Sequence, residues 1–330
     1  MDPIPIPARL ARQSGVIARA QVLHAGDTPA DIARRLRRRE WVRVLPGIYL
    51  DHTGEPTWLQ RCWVGVLYHW PAALAGLTAI RAVVGPGWRR HDDAGPIELA
   101  VPQRRHVVAR PGYVLTRPTG FFDRVHWGAD PPHVRLDHAG VDVASRERDP
   151  FALVAVLADL CQTRRTAPPR LLEVIAARGK IRQRSLLNEV LTDLGRGTCS
   201  VLEREFLHRV ELPHGLPAPT RQSPRRTPGL TALHDVEYAD LGLVVELDGR
   251  LFHDTAGQRD RDLDGDLLVA TLGPATVRLG WGQVLDRPCL TAAGLIAVLR
   301  RRGWVGEPAP CSRECPVGGI AAPALLPRAS

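Results

Sequence analysis

The stretch LHDVEYADLGLVVELDGRLFH, residues 233–253, decides the fold of the C-terminal part of the chain. LHDVEY is typical of a β-strand that carries Asp235, and LVVEL is typical of a second, apolar strand that contains Glu246 and runs into Asp248. Because side chains alternate along a strand, Glu246 and Asp248 share one face with Val244. A carboxylate inside an apolar strand is costly unless a metal ion or another partner compensates its charge. Glu246 is therefore the first candidate for a functional residue.

Paired carboxylates of this kind suit phosphodiester hydrolysis. The reaction needs an activated water and relief of the phosphate charge near neutral pH, and a divalent metal ion supplies both. Mg²⁺ prefers oxygen ligands and is usually held by one or two carboxylates plus water. Asp235 and Glu246 on adjacent strands are candidate ligands, and Glu203 on a preceding helix could complete the metal shell. Ser200 and Glu203 also have the spacing of a capping box, which gives Glu203 a structural alternative.

This segment resembles the nuclease domain of the PD-(D/E)XK superfamily, in the branch related to very-short-patch repair endonucleases. The matching pieces are S-x-x-E at 200–203, Asp235, V-V-E-L-D-G-x-x-x-H at 244–253, the charged helix RDRDLDGDLL and VRLGW at 277–281. The resemblance implies an endonuclease or nicking enzyme that uses Mg²⁺ or Mn²⁺. It places Asp235, Glu246 and Glu203 at the metal and makes His253 a general acid or base. Asp248 stands where the superfamily usually has lysine, so it either binds metal or positions His253.

Two flanking segments extend this candidate site. Residues 216–229 contain four prolines together with Arg221, Arg225 and Arg226, which predicts an exposed loop or irregular edge whose arginines could hold a DNA backbone. In the charged helix, predicted over 258–268, alternating charges favour ion pairs within the helix.

The six cysteines are scattered and do not form a disulfide framework, which favours a reducing compartment. Cys289, Cys311 and Cys315 nevertheless bring three sulfurs into a short span near the C-terminus. Structural zinc sites usually have four ligands and paired C-x₂₋₄-C motifs. The C-x₃-C spacing fits that pattern only loosely and the sequence identifies no fourth ligand, so the three cysteines are candidate Zn²⁺ ligands and no more.

The N-terminal stretch GVIARAQVLHAGDTPADIARRLRRREWVRVLPGIYL, residues 15–50, predicts short helices followed by a hairpin. Asp27-Thr28-Pro29 is a helix start, and the helix predicted over 30–39 has an apolar stripe of Ile32, Ala33 and Leu36. Pro46-Gly47 lies between two strand-like runs. This order is that of a winged helix-turn-helix, whose second helix would enter a major groove. The candidate DNA-binding residues are its arginines and one in the wing: Arg34, Arg35, Arg37, Arg38, Arg39 and Arg43.

The same stretch resembles the N-terminal winged-helix domain of AbiEi-family antitoxins. Gly-Val, a helix, an arginine-rich helix and W-x-R-V-x-P-G-x-Y follow one another in that order. The resemblance implies a DNA-binding head. It also implies an alternative for the whole chain: an antitoxin-type transcriptional regulator whose nuclease fold is inactive, with a cognate toxin or a second copy as partner.

Composition and charge agree with these expectations. With 44% hydrophobic and 24% charged residues the chain can bury a core, and no apolar run or secretory signal predicts a membrane or exported protein. The net charge of +9 favours polyanions such as DNA. It is unevenly spread: residues 1–50 hold nine arginines against four acidic residues, whereas residues 231–286 hold four against eleven. We therefore expect a cytoplasmic protein that binds DNA and no membrane; the weakest alternative is a protein-interaction scaffold.

The fold class expected is α/β, α+β overall, in four parts. Residues 1–55 form the winged helix-turn-helix, and residues 56–195 form an α/β module with a helical connector at 151–160, 170–177 and 185–194. Residues 196–305 form a restriction-endonuclease-like domain with a central mixed sheet flanked by helices, and residues 306–330 form a disordered tail. The six histidines between residues 69 and 138 are isolated in sequence, which favours packing or surface roles.

Overall fold

The computed structural model describes residues 4–88, 90–196, 200–224, 233–248 and 275–319. The chain divides into two compact units, Met1–Val143 and Ala144–Ser330. Both units mix helices and strands, and the described strands form three sheets. None of the described helices is long and apolar enough to cross a membrane. The finer four-part division of the sequence stays a prediction.

The first unit begins with three helices and a three-stranded antiparallel sheet. The helices are α1 (Ile6–Arg12), α2 (Arg19–His24) and α3 (Pro29–Arg37), and the strands are β1 (Val16–Ala18), β2 (Val42–Leu45) and β3 (Ile48–Leu50). The sheet order is β1-β3-β2, so the predicted hairpin pairs its second strand with a strand that the sequence analysis had not identified.

Local sequence explains where α3 starts. The Thr28 hydroxyl accepts a hydrogen bond from the Asp31 backbone N–H at 3.2 Å, and the Asp31 carboxylate accepts one from the Thr28 N–H at 2.9 Å. This reciprocal capping box satisfies two N–H groups that the first turn leaves unpaired. Ile32 is buried and Leu36 packs against the same core, as the apolar stripe predicts, whereas Ala33 is exposed.

The small sheet of the first unit has a core on each side. On one side Ile17, Val22, Ile32, Trp41 and Tyr49 pack together beneath the helices. On the other side Val16, Ala18, Ile48 and Leu50 pack against Trp63 and Val64 of α4 (Trp58–Tyr68). The N-terminal elements therefore share a hydrophobic core with the segment that follows them.

A second, five-stranded mixed sheet completes the first unit. Its strands are β4 (Ala73–Leu74), β5 (Ile97–Ala100), β6 (Tyr113–Thr116), β7 (Val125–His126) and β8 (His133–Val134), in the order β6-β5-β4-β8-β7. The helices of this part are α5 (Gly76–Val84) and α6 (Phe121–Arg124), and α7 (Leu136–Arg146) spans the division between the units. His91 contacts Asp93 and Thr78 here, and Asp93 is also bound by the buried Arg81, so this histidine belongs to a network.

The second unit opens with the three predicted connector helices, α8 (Pro150–Gln162), α9 (Pro168–Ala176) and α10 (Arg184–Arg196). They precede α11 (Ser200–Phe206), which continues through a π-helical turn, Leu207–Glu211, into α12 (Leu212–His214). The buried Asp193 accepts a hydrogen bond from the Val201 N–H at 2.7 Å, which satisfies a first-turn donor of α11.

A four-stranded mixed sheet lies in the second unit, with the order β12-β11-β10-β9. The strands are β9 (Thr220–Pro224), β10 (Leu233–Tyr238), β11 (Leu243–Asp248) and β12 (Ala275–Gly280). β10 is antiparallel to β9 and β11, and β11 is parallel to β12. The two strands predicted around Asp235 and Glu246 are therefore adjacent. Within residues 216–229, predicted as an exposed loop or irregular edge, residues 220–224 form the edge strand β9, and residues 225–229 lie outside the described residues.

After the sheet, a π-helical turn, Gly282–Asp286, leads into α13 (Pro288–Arg301), and a 3-10 turn, Pro316–Gly319, packs against that helix. The sheet core contains Val244, Val245 and Leu247, while Leu295, Ile296 and Leu299 give α13 its buried face. The structure describes residues 306–319 of the segment predicted to be a disordered tail, and Cys315 and Val317 are buried there.

Candidate functional site

Adjacent strands bring the two predicted metal ligands together. Asp235 lies on β10 and Glu246 on β11, and the paired register of these strands runs from Tyr238–Leu243 to Val236–Val245. Beyond that pair, the Leu247 N–H donates a hydrogen bond of 2.7 Å to Asp235 Oδ2. The carboxylate of one strand therefore bonds to the backbone of the other, next to Glu246.

Glu246 has a histidine partner that the sequence analysis missed. Its Oε1 lies 2.9 Å from Nδ1 of His234, and the side chains of both residues are largely buried. The imidazole compensates the carboxylate inside the apolar strand, as the burial cost of that position demands. His234 directly precedes Asp235 in sequence, but nothing in the strand pattern distinguished it from a packing histidine.

The predicted third carboxylate comes from α11. Glu203 is half-buried, and its Oε1 accepts a hydrogen bond of 3.2 Å from Nε2 of Gln222 on β9. Gln222 has a backbone φ of +51°, which a residue with a side chain rarely adopts. Glu203 is thus hydrogen-bonded to strand β9. A helix-capping role alone does not account for this contact.

The pKa of Glu203 shows that this carboxylate lies in the field of Asp235. Burial raises the pKa above its usual value, and the negative charge of Asp235 raises it further. The hydrogen bond from Gln222 and the positive charge of Arg221 act in the opposite direction without cancelling the rise. Two carboxylates held near each other create a demand for positive charge.

Other predicted residues of this site are placed less fully. Asp248 ends β11, half-buried, beside Gly280 of the parallel strand β12. Glu246 lies opposite Arg278 in the same pairing. The predicted acid or base His253, the charged helix over 258–268, and Arg225 and Arg226 lie outside the described residues.

A buried carboxylate that sequence reasoning missed lies behind the sheet. Glu211 is 3% exposed, is ion-paired with Arg221 and accepts a hydrogen bond of 2.9 Å from the Tyr238 hydroxyl. Burial raises the pKa of Glu211, while Arg221 and Tyr238 counteract that rise. Arg221 therefore stabilises the fold. Its guanidinium is paired with Glu211 and is not free for the predicted contact with a DNA backbone.

Four ligand-type side chains converge elsewhere in the same unit. His214, Cys289, Cys311 and Cys315 each place one ligand atom within 4.8 Å of every other, and this cluster could hold a metal ion. It is the single such group of three or more among the described residues, so the carboxylates of Glu203, Asp235 and Glu246 do not form one. The three predicted cysteines are thus brought together, and His214 is the fourth ligand that the sequence did not reveal.

The fold positions His214 for this role. The ring is 1% exposed, and its Nδ1 lies 2.9 Å from the Val210 carbonyl oxygen. Because a carbonyl can only accept, Nδ1 carries the proton and Nε2 presents its lone pair. Within the described part of the chain, Nε2 is buried without a hydrogen-bond partner. A metal-binding histidine typically donates its other N–H to a carbonyl or carboxylate in this way.

The sulfurs are close and unequal in acidity. Cys289 Sγ lies 3.5 Å from Cys311 Sγ. Burial, together with hydrogen bonds to Cys311 and Cys315, raises the pKa of Cys289 to about 12. Burial opposes ionisation of Cys315 as well, but hydrogen bonds with the backbone at Val317 and Cys311 and with the two other thiols lower its pKa. The three thiols thus interact as one group.

The arginines predicted to bind DNA fall into two sets in the first unit. Arg35 is half-buried, pairs with Asp27 and lies 4.6 Å from the Trp41 ring centroid, so it stabilises the fold. Arg34 pairs with Asp31, and Arg38 lies 3.7 Å from Glu40. The remaining three, which are exposed and have no acidic partner among the described residues, are Arg37, Arg39 and Arg43.

Comparison with known proteins adds no assignment. The chain matches no protein-family model. No curated protein matches its sequence significantly. The resemblances to PD-(D/E)XK nucleases and to AbiEi-family antitoxins therefore stay predictions from the motifs.

Proposed function

We propose that the second unit is a metal-dependent DNA endonuclease or nicking domain centred on Asp235, Glu246 and Glu203. The observation that carries this proposal is that Asp235 and Glu246 lie on paired strands, with Glu203 of α11 close enough to be affected by the charge of Asp235. The charge of Asp235 raises the pKa of Glu203, and the Asp235 carboxylate bonds to the strand that holds Glu246. A fold that gathers acidic groups in this way favours a cation and, with it, a phosphate ligand.

Each residue has a defined part in this proposal. Asp235 and Glu246 offer oxygen ligands of the kind that Mg²⁺ and Mn²⁺ prefer. Bound there, a divalent ion would supply an acidified water and relief of the phosphate charge. His234 orients Glu246, Glu203 accepts a proton or orients water, and Asp248 lies at the end of the same strand. His253 remains the proposed general acid or base.

Cleavage of supercoiled plasmid and of branched and mismatched duplexes tests the proposal, in Mg²⁺ or Mn²⁺ and in EDTA. Asp235→Asn and Glu246→Gln preserve shape while removing the ligand charge, so both should abolish metal-dependent cleavage. Glu237→Gln is the matched control, because Glu237 lies on the same strand and is half-buried. If the wild type cuts none of these substrates, or if both variants cut at the wild-type rate, the proposal is wrong.

The metal proposed for the cluster of His214, Cys289, Cys311 and Cys315 is Zn²⁺. Thiolate sulfur and imidazole nitrogen are the ligands that zinc takes in tetrahedral sites, whereas Mg²⁺ takes oxygen. Zinc–sulfur bonds of about 2.3 Å separate the ligand atoms of a tetrahedral site by about 3.8 Å. The 3.5 Å between Cys289 and Cys311 and the 4.8 Å limit of the whole cluster fit that size.

DNA binding by the first unit is the second part of the proposal. This unit begins with three helices and a β-hairpin that completes a small antiparallel sheet. That order of elements supports the prediction of a winged helix-turn-helix. Arg37, Arg39 and Arg43 are the exposed arginines that would contact phosphates. A DNA fragment should therefore bind more weakly as salt rises. A second copy of the chain or a cognate toxin remains a proposed partner.

One observation favours an antitoxin-type regulator as the second candidate function. The carboxylates of Asp235 and Glu246 are engaged by Leu247 N–H and His234, and the described carboxylates do not form a group of three. In that case the nuclease-like sheet is a scaffold. The regulator would shift DNA that includes its own promoter and repress that promoter, while every substrate stays uncut in Mg²⁺ and Mn²⁺.

A further inference from the structure

We infer that the site of His214, Cys289, Cys311 and Cys315 is a closed structural zinc site that fastens residues 304–319 to the rest of the second unit. This inference rests on the proposed occupancy by zinc and is independent of DNA cleavage. Four protein ligands fill a tetrahedral shell and leave no position for water or substrate, which separates structural from catalytic zinc sites.

The four ligands come from three separate parts of the chain. His214 ends α12, Cys289 lies in the first turn of α13, and Cys311 and Cys315 belong to the segment that follows α13. A single ion bound by all of them would join the helix before the sheet to the helix after it. The ion would thus cross-link elements that the sequence keeps far apart.

The backbone already brings the C-terminal segment to His214. The Ala309 N–H donates a hydrogen bond of 3.0 Å to the His214 carbonyl oxygen. Gly215 follows with φ +63°, and a Cβ there would lie 3.4 Å from Ala309 N and 3.5 Å from Glu307 O. The turn that ends α12 is therefore shaped to receive this segment, and the ring of His214 stays on the cluster side.

Little else holds the segment. Cys315 and Val317 are the only residues after Trp304 in the described chain that are buried, and Val317 sits in the 3-10 turn against α13. Cys311 to Glu314 are exposed. The segment therefore has a small apolar contact area. Metal binding would add order, because one ion fixes its two cysteines to ligands on α12 and α13.

His214 supplies the second observation that points to an ion. Its Nε2 is buried without a hydrogen-bond partner among the described residues, and the ring offers one ligand atom within 4.8 Å of the three sulfurs. Burial of an imidazole nitrogen without a partner is costly, and a metal ion satisfies it.

The test uses the full-length protein and reads metal content and proteolysis, not nuclease activity. We expect about one zinc per chain in the wild type after dialysis, measured by elemental analysis, since all four ligands serve one ion. With Co²⁺ in place of zinc, tetrahedral thiolate coordination should give intense visible and charge-transfer absorption. Cys311→Ser should lose the metal, whereas Cys161→Ser, a thiol of the same unit outside the cluster, should retain it.

Trypsin reports on the fastening itself. Arg313 lies between Cys311 and Cys315 and is exposed. We expect the Arg313 bond to resist cleavage with zinc and to be cut rapidly after chelation or in Cys311→Ser, with a fall in Tm of roughly 10 °C. His214→Cys keeps a fourth zinc ligand and should retain metal and protection, which covers the case that Cys311→Ser does not fold.

Three results would overturn the inference. The wild type could bind no zinc, Cys311→Ser could keep as much zinc as the wild type, or chelation could leave both Arg313 protection and Tm unchanged. None of these depends on whether the protein cuts DNA, so a failed nuclease assay leaves this inference standing.

Discussion

The arginine-rich helix of the first unit and the acidic residues before and within the sheet of the second unit can be compared, because in both places burial and partners separate the charged residues into two kinds. In α3, Arg35 forms an ion pair with Asp27 and lies over the Trp41 ring, while Arg37 remains exposed. In the second unit, Glu211 is ion-paired with Arg221 and accepts a hydrogen bond from Tyr238. Glu203 instead lies near the negative charge of Asp235, which raises its pKa. A run of like charges in sequence is therefore not one functional surface. Burial and partners decide which members serve the fold.

Apart from the loss of the carboxylates themselves, the largest effect should come from the histidine that orients Glu246. His234→Leu removes the imidazole 2.9 Å from Glu246 Oε1, so metal-dependent cleavage should fall by about 10- to 100-fold. The apparent Mg²⁺ affinity should fall with it, measured as the metal concentration for half-maximal cleavage. His234→Asn, which keeps a nitrogen donor, should recover part of the loss. Equal activity in all three proteins would remove His234 from the site.

Glu211 should behave as the opposite kind of carboxylate. Glu211→Ala leaves Arg221 and Tyr238 without their buried acceptor and should lower the free energy of unfolding by about 2 kcal/mol, because Arg221 is only partly buried. Denaturant unfolding measures this. The matched control Glu205→Ala removes a partly exposed ion pair with Arg209 and should cost less than about 1 kcal/mol. Similar losses for the two variants would mean that burial does not distinguish them.

The arginines of α3 should separate by assay. Arg35→Ala should lower the stability of the first unit by about 1 kcal/mol, since an ion pair and a cation–π contact are lost. Arg37→Ala should leave Tm unchanged and reduce the slope of log affinity against log salt by about 0.9, as one lost phosphate contact does. Fluorescence anisotropy with a DNA duplex measures the slope. An unchanged slope for Arg37→Ala would exclude this helix face from the interface.

The smallest effect should be a pH-dependent gain of stability in Glu203→Gln. The pKa of Glu203 is raised in the folded state, so the folded protein holds this proton more tightly than the unfolded chain. The contribution of Glu203 to stability is therefore lost as the pH rises from its pKa of 4.5 in the unfolded chain through its raised pKa in the folded protein. At pH 7 the free energy of unfolding of the variant should exceed that of the wild type by less than about 1 kcal/mol, which gives a slightly higher Tm. Below about pH 4 the two proteins should be equally stable. A variant less stable than the wild type at pH 7 would contradict this sign.

Much of the local structure follows from sequence. The helix start at Asp27-Thr28-Pro29, the hairpin at residues 42–50, the three connector helices and the strands around Asp235 and Glu246 were predicted from periodicity and turn residues. Each of these depends on neighbours within a few positions. The missed strand β1 is three residues long, too short for an alternating pattern to be recognised.

The site could be predicted only in part for the same physical reason. Asp235 and Glu246 stand out because a carboxylate in an apolar strand is unusual, and three cysteines near one another in sequence stand out by type. His234, Gln222 and Glu211 carry no such signal, because their importance comes from a partner on another element.

The sequence by itself determined which residues could form strands, where helices begin, and that sulfur and carboxylate ligands are present in the C-terminal half. Only the tertiary structure decided that His214 joins Cys289, Cys311 and Cys315, that Arg35 and Arg221 serve the fold, and that Glu203 lies in the field of Asp235. Periodicity and capping act over a few residues, whereas a metal cluster or a shifted pKa needs groups from distant segments to meet. That meeting is a property of the folded chain.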